Sequence, residues 1–355
     1  MTIPLVSVVM SVFNGERFLP EAVESILDQR FRELEFIVID DGSTDRSASI
    51  LDFYQKGDAR MRVCHEEHAG LIKSLNRGCE LARGKYLARM DADDVAVKDR
   101  LAWQIDFMEV HQETGVLGGA VEWIDATGKT LGIHPNPVED REIKADLLRA
   151  RCALWHPTVL LRKEVFAWAG GYRSVVVGAE DYDLWLRIAD RFQLANLEEV
   201  VLKYRIHPDQ ASMRKRKQQT LSKLAAQASA SFRRSGKKDP LNAVREITPE
   251  ALAALGVTEA RQQSDLASDY RQWIRNMCIA DEYEVALEAA LEVLRSDLES
   301  AERWQIADLH LTAAWLYWRH KRFAKSFLAA GHAVVTRPIV IGRPLKALVR
   351  RLGLM

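Results

Sequence analysis

Two continuous apolar runs constrain the fold of this chain more than any other feature of its sequence. Residues 5–13 read LVSVVMSVF and residues 35–39 read EFIVI, both rich in β-branched side chains. Strands that are apolar on both faces are typical of parallel sheets covered by helices on both sides. Amphipathic helical patterns separate the early strands at 16–29, 44–56 and 70–82. The sequence therefore predicts an α/β fold with a mostly parallel sheet.

The strand pattern continues to about residue 207 and then stops. Further strands are predicted at 61–64, 85–90, 115–124, 158–162 and up to 207, with helices at 99–111, 139–150 and 180–190. Residues 210–238 contain nine lysines and arginines and no acidic residue, and the pattern beyond them is helical only. Because 355 residues are enough for two domains, we expect an α/β domain at 1–212, a basic linker or helix at 213–240 and a helical domain at 241–355.

The C-terminal region shows five helical patterns and a basic end. The helices are predicted at 249–255, 259–278, 281–295, 303–320 and 322–335. The last pair has the spacing of one tetratricopeptide-like unit, although an ordinary helical hairpin fits equally well. The tail 337–355 has five cations and no acid, and its part 344–354 has the pattern of an amphipathic helix. Contact with an anionic membrane surface is one interpretation; a solvated linker and frayed tail are the other.

Composition and simple motifs exclude several classes of protein. Basic and acidic residues number 50 each, so the net charge does not indicate a nucleic-acid partner, and we expect none. The four cysteines are scattered without CxxC spacing, which favours reduced thiols in a cytosolic protein. The N-terminal apolar run lacks the basic region and cleavage site of a signal peptide. Neither a P-loop nor a dinucleotide-binding glycine motif is present. We therefore expect a cytoplasmic protein, with peripheral contact at the inner face of the membrane as the alternative location.

Three aspartates occupy four positions after a predicted strand, in the segment KYLARMDADD at 85–94. One of them could cap a following helix, and a solvated loop is a further interpretation. The spacing of Asp91 and Asp93, however, puts two carboxylates on one side of an extended segment, where hard oxygen ligands suit Mg²⁺ or Mn²⁺. Asn14 and Asp40–Asp41 also follow strands, and open α/β sheets bind ligands at this edge. Without a glycine-rich phosphate loop, a metal at this edge indicates a nucleoside diphosphate and nucleotide-sugar chemistry.

A second acidic pair, Glu180–Asp181, stands at the start of a predicted helix. Acids in a first helical turn can simply stabilise the helix dipole. The functional alternative is a general base that takes a proton from an acceptor hydroxyl as this attacks an anomeric carbon. The leaving diphosphate would then need a metal rather than a protein acid.

Eight segments spread over about residues 5–212 resemble, in order and spacing, the inverting glycosyltransferases of family 2. They are VSVVMSVFN (6–14), IDDGSTD (39–45), HAGLIKSLNRG (68–78), ARGKYLARMDADD (82–94), HPTVLLRKEVF (156–166), GGY (170–172), EDYDLWLR (180–187) and YRIH (204–207). The resemblance implies the GT-A fold for 1–212 and covers nothing beyond residue 215.

The resemblance also implies a role for each matched position. On the nucleotide side it implies base and ribose contacts from Ser11, Phe13 and Asp41, a pocket shaped by Asn14 and Asp40, Lys73 near the nucleotide, and Asp91 beside the ribose and diphosphate. Phe13 replaces the usual tyrosine, so the stacking surface stays and a hydroxyl is lost. Elsewhere it implies that Asp93 ligates the metal, His207 reaches the metal or diphosphate, Asp181 is the base beside Glu180, and His156 and Trp185 lie on the acceptor side. A buried, hydrogen-bonded His156 is an equal alternative.

These observations predict a metal-dependent hexosyltransferase that uses Mn²⁺ or Mg²⁺. The expected donor is a nucleotide-diphosphate sugar, with UDP-sugars favoured. The expected acceptor is a glycan or lipid-linked glycan in bacterial surface polysaccharide or glycoconjugate assembly. A nucleotidyltransferase is one alternative, but the segment FNGERF is a poor match to its basic, glycine-rich loop. A non-catalytic nucleotide-sugar-binding scaffold, acting through the helical C-terminal region, is the other.

Overall fold

A computed structural model describes residues 3–151, 153–208, 210, 216–296 and 298–338. The chain divides into two compact units, Met1–Arg205 with Ser229–Arg245, and Ile206–Ala228 with Glu246–Met355. Among the described residues, no helix combines the length and the apolar content needed to cross a bilayer. The predicted domains 1–212, 213–240 and 241–355 are regions expected to fold separately, and these limits stay a prediction.

The first unit begins with the alternation of strands and helices that the apolar runs predict. Its first elements are β1 Val6–Val12, α1 Leu19–Leu27, β2 Leu34–Asp41, α2 Ser47–Gly57, β3 Met61–Glu66, α3 Leu71–Leu81 and β4 Tyr86–Met90. They are followed by β5 Val95–Ala96, α4 Arg100–Val110, β6 Thr114–Ile124, β7 Thr130–His134, α5 Asp140–Leu148, a 3-10 helix His156–Thr158, β8 Leu160–Arg162, α6 Lys163–Ala169, α7 Glu180–Ala189 and β9 Gln193–Arg205.

The described strands of this unit form one sheet in the order β3-β2-β1-β4-β8-β6-β9-β5, with β7 paired to β6. The strand pairs β1–β2, β1–β4, β2–β3 and β6–β9 are parallel, whereas β4–β8, β6–β8, β6–β7 and β5–β9 are antiparallel. The α/β class and the mostly parallel sheet are confirmed, although the sheet is mixed rather than wholly parallel. The reason is β8, which lies between β4 and β6 and runs against both.

The register of the parallel strands brings their carboxyl ends to one edge. Val12 pairs with Asp40, and Met10 pairs with Met90, so β1, β2 and β4 end side by side. All eight residues of β2 and all five of β4 are buried. The polar residues that follow these strands therefore lie at the edge of the sheet, where the chain emerges from the buried core.

The remaining helices are α8 Arg216–Arg234, α9 Pro249–Ala254, α10 Glu259–Ile279, α11 Tyr283–Arg295, α12 Arg303–Arg319 and α13 Phe323–Thr336, with a 3-10 helix Pro240–Asn242 after α8. Helices α10–α11 and α12–α13 form two successive hairpins within the second unit. Each hairpin turns through a left-handed residue, Asp281 at φ 61° and Lys321 at φ 56°. The helix-only pattern predicted beyond residue 240 is confirmed, and the hairpin form predicted for the last pair occurs twice.

Candidate active site

The loops that follow β1 and β2 hold each other through reciprocal hydrogen bonds. Asn14 has a φ of 53°, a left-handed conformation that asparagine tolerates better than most residues. Its Oδ1 accepts from the N–H of Thr44 at 2.8 Å, and its own N–H donates to Ser43 Oγ at 3.0 Å. The N–H of Gly15 donates to Ser47 Oγ at 2.9 Å. Asn14 therefore fixes the position of the loop after β2 at the carboxyl edge of the sheet.

Asp41 fixes the loop that leads into α3. Its carboxylate, only 2% exposed, accepts from the N–H groups of Ala69 at 2.8 Å and Gly70 at 3.0 Å, and from Ser74 Oγ at 3.0 Å. The imidazole Nδ1 of His68 lies 3.0 Å from the second carboxylate oxygen. Both oxygens of Asp41 are thus engaged by the protein, and the predicted contact with a base or ribose stays a prediction.

An aromatic surface lies beside this loop. Phe13 is 49% exposed, and its ring centroid is 4.3 Å from that of His68. Ser11 is half-buried near the end of β1, and Lys73 is exposed in the first turn of α3. An exposed ring at a strand end can stack on a nucleobase, and a nearby ammonium favours phosphate.

His65 bridges the carboxylate of Asp40 and a second carboxylate. Nδ1 of His65 lies 2.8 Å from Asp40 Oδ2, and Nε2 lies 3.1 Å from Asp52 Oδ1. Asp40 Oδ1 accepts from the N–H of Ser43 at 3.1 Å. The hydrogen bond from Asp40 raises the pKa of His65 above its usual value. No spacing signal in the sequence reveals that His65 bridges these two carboxylates.

The acidic cluster forms as predicted at the end of β4 and includes a third carboxylate. Ligand oxygens of Asp91, Asp93 and Asp94 all lie within 4.8 Å of one another. Asp94 is 1% exposed; its Oδ1 accepts from the N–H of Arg205, whereas its buried Oδ2 has no hydrogen-bond partner among the described residues. Burial, with repulsion from the neighbouring acids, raises the pKa of Asp94 well above its usual value. Three hard oxygen donors with an unsatisfied buried oxygen fit a divalent cation.

One buried cation lies beneath this cluster, and the sequence analysis missed it. Arg89 is 5% exposed in the middle of β4, and its guanidinium contacts the carboxylate of Asp91. The pKa values of Asp94, Glu180 and Asp181 are all raised by burial, and the positive charge of Arg89 partly opposes this rise in each case. The sequence did contain a signal for this residue, because an arginine within the apolar strand YLARM is rarely buried without a charged partner nearby.

Arg205 holds the acidic loop from its other side. It is 2% exposed, and its side-chain Nε donates to the carbonyl of Asp93 at 2.8 Å while Nη2 donates to Glu21 at 2.5 Å. Arg205 belongs to the segment YRIH, in which the family resemblance implied a role for His207 alone. His207 belongs to the second unit, so its predicted contact with the metal or diphosphate stays a prediction.

Glu180 and Asp181 start α7 and lie in a buried setting. Glu180 is 5% exposed and accepts from the N–H of Gly178 at 2.8 Å; Asp181 accepts from the N–H of Tyr182 at 2.7 Å. Burial raises the pKa of Glu180 to about 7 and that of Asp181 to about 6. Carboxylates that only stabilise a helix dipole are normally exposed and ionise easily. This pair instead titrates close to neutral pH, as a general base requires.

The residues predicted on the acceptor side come together in the interior. His156 is 8% exposed, and its Nε2 lies 2.8 Å from the hydroxyl of Tyr172. Burial lowers the pKa of His156 well below its usual value, so the imidazole is neutral. Trp185 is 1% exposed, with its ring centroid 6.1 Å from that of His156. In this structure Trp185 therefore packs behind His156 rather than facing an open surface.

Comparison with known proteins identifies the class to which this fold and site belong. The profile of glycosyl transferase family 2 matches residues 7–167. An uncharacterized glycosyltransferase of Methanocaldococcus jannaschii is 34% identical over 208 residues, covering 57% of this chain and 71% of that protein. The O-antigen biosynthesis glycosyltransferase WbnJ of Escherichia coli is 30% identical over 211 residues, covering 57% of this chain and 80% of that protein. The chain belongs to glycosyltransferase family 2, and it is a glycosyltransferase.

Solved structures agree on the fold. Residues 1–349 of TarS from S. aureus, in complex with UDP-GlcNAc, superpose with a TM-score of 0.52 at 16% identity, covering 92% of this chain and 90% of that one. The mannosyltransferase PcManGT from Pyrobaculum calidifontis, in complex with GDP-Man and Mn²⁺, gives 0.50 at 18% identity, covering 94% and 87%. At these identities the likeness shows the fold alone. The predicted GT-A-type architecture with a helical C-terminal region is confirmed.

Proposed function

We propose that this protein is a metal-dependent inverting glycosyltransferase that moves a sugar from a nucleoside-diphosphate donor to an acceptor hydroxyl. One observation carries the proposal: ligand oxygens of three aspartates lie within 4.8 Å of one another after β4, and the Arg89 that contacts this cluster also acts on the carboxyl pair that starts α7. A site for a divalent cation and a candidate base therefore lie within electrostatic reach of one side chain. One base and one metal site suffice for inverting transfer.

Asp91, Asp93 and Asp94 are the residues that would hold Mn²⁺ or Mg²⁺. A bound cation would neutralise the charge that grows on the departing diphosphate. Arg89 contacts Asp91 and so favours its ionised, ligating form against the burial that raises the pKa of Asp91. On the nucleotide side, Phe13 offers a stacking surface and Lys73 a cation. A UDP-sugar is the favoured donor, in agreement with the UDP-GlcNAc bound to TarS.

Asp181 is the proposed general base. As the acceptor oxygen attacks the anomeric carbon, its proton passes to the Asp181 carboxylate and the bond from that carbon to the diphosphate oxygen breaks. A single displacement of this kind inverts the anomeric configuration. A pKa of about 6 leaves Asp181 mostly ionised at neutral pH yet basic enough to accept the proton. Glu180, with a pKa of about 7, lies beside it and takes part in the same titration.

A panel of nucleotide sugars tests the proposal. Purified protein should release a nucleoside diphosphate from at least one donor in Mn²⁺ or Mg²⁺ and lose this activity in EDTA. The anomeric configuration of the product, read by NMR, should be opposite to that of the donor. Equal release in EDTA would contradict metal dependence, and retained configuration would contradict inversion. Release of inorganic pyrophosphate from nucleoside triphosphates would favour a nucleotidyltransferase instead.

The proposed acceptor is a glycan or lipid-linked glycan of bacterial surface polysaccharide, supported by the O-antigen role that the name of WbnJ states. Such acceptors lie on membranes, so we also propose a cytoplasmic protein with peripheral contact at the anionic inner face. Residues 339–355 of the basic tail lie outside the described part of the chain. In the other basic stretch, Lys223 is paired with Asp269, and Arg233 and Arg234 with Asp190. The tail is therefore the better candidate for membrane contact.

Liposome co-sedimentation tests the membrane contact. Binding should require anionic lipid, weaken with salt and fall when residues 337–355 are deleted, because each basic residue near the surface contributes about 1 kcal/mol. The double variant Lys237→Gln, Lys238→Gln, in an exposed part of the first unit, serves as the control for loss of charge alone. Equal recovery in the supernatant with and without anionic liposomes would leave a purely soluble enzyme.

A further inference from the structure

Four aromatic side chains form a contiguous cluster in the first unit. Trp123 on β6 stacks on His134 of β7, with centroids 3.6 Å apart and planes 22° apart. The ring of Trp155 meets Trp123 edge-on at 6.1 Å and lies 5.0 Å from Tyr204 on β9. The sheet register pairs Trp123 with Tyr204 on one side and with Gly132 on the other. Because Gly132 has no side chain, the register partner of Trp123 on β7 adds no side chain to the cluster.

The cluster is half-open to solvent. Trp123 is 4% exposed and forms its floor, whereas Trp155, Tyr204 and His134 are only partly buried. The indole N–H of Trp155 donates to Asn136 Oδ1 at 3.0 Å, so the orientation of that ring is fixed within the protein. With its N–H engaged, Trp155 offers the faces and edges of its ring rather than a hydrogen-bond donor. Three partly exposed rings therefore lie together beside a buried one.

The chain links this cluster to both halves of the candidate active site. Trp155 precedes His156, which bonds Tyr172, and the charges of Asp181 and Glu180 act on the Tyr172 hydroxyl. Tyr204 precedes Arg205, whose N–H donates to Asp94 in the acidic cluster. The residues next to two of the rings are therefore connected to the proposed base in one case and to the proposed donor site in the other.

We propose that Trp155, Tyr204 and His134 form a subsite that stacks on a pyranose ring of the acceptor glycan. The inference rests on the proposed function and assigns an acceptor class to the same site. A pyranose has an apolar face of C–H groups and a polar rim of hydroxyls. Aromatic faces carry partial negative charge and attract polarised C–H groups, while the His134 imidazole supplies a polar edge. Burial lowers the pKa of His134, so its imidazole is neutral at pH 7 and suits hydroxyls better than anions.

Saturation-transfer NMR with methyl glycosides and disaccharides of glucose, galactose, mannose and N-acetylglucosamine tests the subsite without requiring turnover. The native protein should transfer saturation to at least one of these sugars. Trp155→Ala and Tyr204→Leu should weaken that binding about 10-fold, the scale of one aromatic contact. Trp155→Phe should keep most of it. Trp168→Ala is the matched control, because Trp168 is 44% exposed on α6, outside the aromatic cluster.

Kinetics provide the second readout, with the best bound sugar as acceptor. Trp155→Ala should raise the acceptor KM about 10-fold, whereas Trp168→Ala should leave the acceptor KM unchanged. The subsite is refuted if no sugar receives saturation from the native protein, if Trp155→Ala and Tyr204→Leu bind sugars like the native protein, or if Trp168→Ala causes the same loss. If the alanine variant unfolds, Tyr204→Leu decides alone. A protein that binds the sugars through Trp155 but releases no nucleotide from any donor would contradict the proposed function and not the subsite.

Discussion

The backbone N–H of Arg205 donates to the carboxylate of Asp94 at 2.8 Å, a hydrogen bond that joins residues 111 positions apart. The side chain of Arg205 also donates to the carbonyl of Asp93. The last residue of β9 thus sets the geometry of the loop after β4, where the candidate metal ligands lie. The geometry of the candidate metal site therefore depends on the last strand of the sheet in chain order as well as on the segment that contains the aspartates.

Substitution of Asp93 should separate metal binding from folding. We expect Asp93→Asn to abolish turnover and the metal dependence of nucleoside diphosphate binding, because one of three clustered ligands is lost. Asp93 is partly exposed, so the thermal midpoint should change little. Calorimetric titration with UDP in Mn²⁺ and in EDTA measures the effect, and Asp106→Asn, at an exposed position on α4, is the control. Native-like turnover by Asp93→Asn would place the metal elsewhere.

Removal of the proposed base should leave donor binding intact. Asp181→Asn keeps the size of the side chain but accepts no proton, so turnover should fall on the order of 10²-fold or more. In the native enzyme kcat should rise as the pH increases through about 6 to 7, where Asp181 and Glu180 ionise. The variant should lose most of this acidic limb. Steady-state kinetics from pH 5 to 8 measure both effects, and full activity in Asp181→Asn would reduce its role to that of a helix-terminal charge.

The same carboxyl groups should make the protein less stable as the pH rises. Their folded pKa values, about 6 and about 7, lie above the ordinary values of 3.8 and 4.5. The folded state therefore holds more protons between pH 4 and 7, and the free energy of unfolding falls as the pH rises through this window. Asp181→Asn should be more stable than the native protein at pH 8 by about 1–3 kcal/mol, a difference that shrinks towards pH 4. Urea denaturation at both pH values gives the comparison; an equal difference at both would contradict the linkage.

Arg89 should contribute more to stability than exposed arginines do. Arg89→Gln leaves Asp91 and Asp94 without their buried cation, and the loss of one partner of a buried ion pair typically costs about 3–5 kcal/mol. Arg30→Gln is the matched control, because Arg30 is 67% exposed in its bridge to Asp99, and such bridges contribute less than about 1 kcal/mol. Chemical denaturation of both variants at pH 7 tests the contrast. A similar small loss in each would mean that water replaces the guanidinium.

His65 should titrate above its usual range because Asp40 accepts its hydrogen bond. The NMR titration midpoint of His65 should lie above 6.5 and return towards that value in Asp40→Asn. Because the folded pKa is raised, the stabilisation from this contact is present below the unfolded pKa and is lost as the pH rises through the folded one. His134 is the internal control, because burial alone lowers its pKa and its midpoint should be the same in both proteins. Equal midpoints for His65 in the two proteins would refute the contact.

Local patterns predicted the early elements well because each has its own burial signal. Strand β4 was predicted at 85–90 and spans Tyr86–Met90, and α3 was predicted at 70–82 and spans Leu71–Leu81. The misses have local causes as well. Strand β5 has two residues, and β7 has no buried residue, so neither shows the alternation that identifies a strand. The direction of β8 was missed because an apolar run carries no information about its orientation in a sheet.

The sequence by itself determined that acidic and amide side chains follow three buried strands, that a second acidic pair starts a helix, and that the motifs are those of family 2. These features are local, since each depends on neighbouring residues and on the periodicity of one segment. Only the tertiary structure decided that buried Arg89 acts on Glu180 and Asp181, that Arg205 holds the acidic loop, and that Trp155 meets Tyr204. Such contacts join segments far apart in the chain, and they form only when the sheet register brings those segments together.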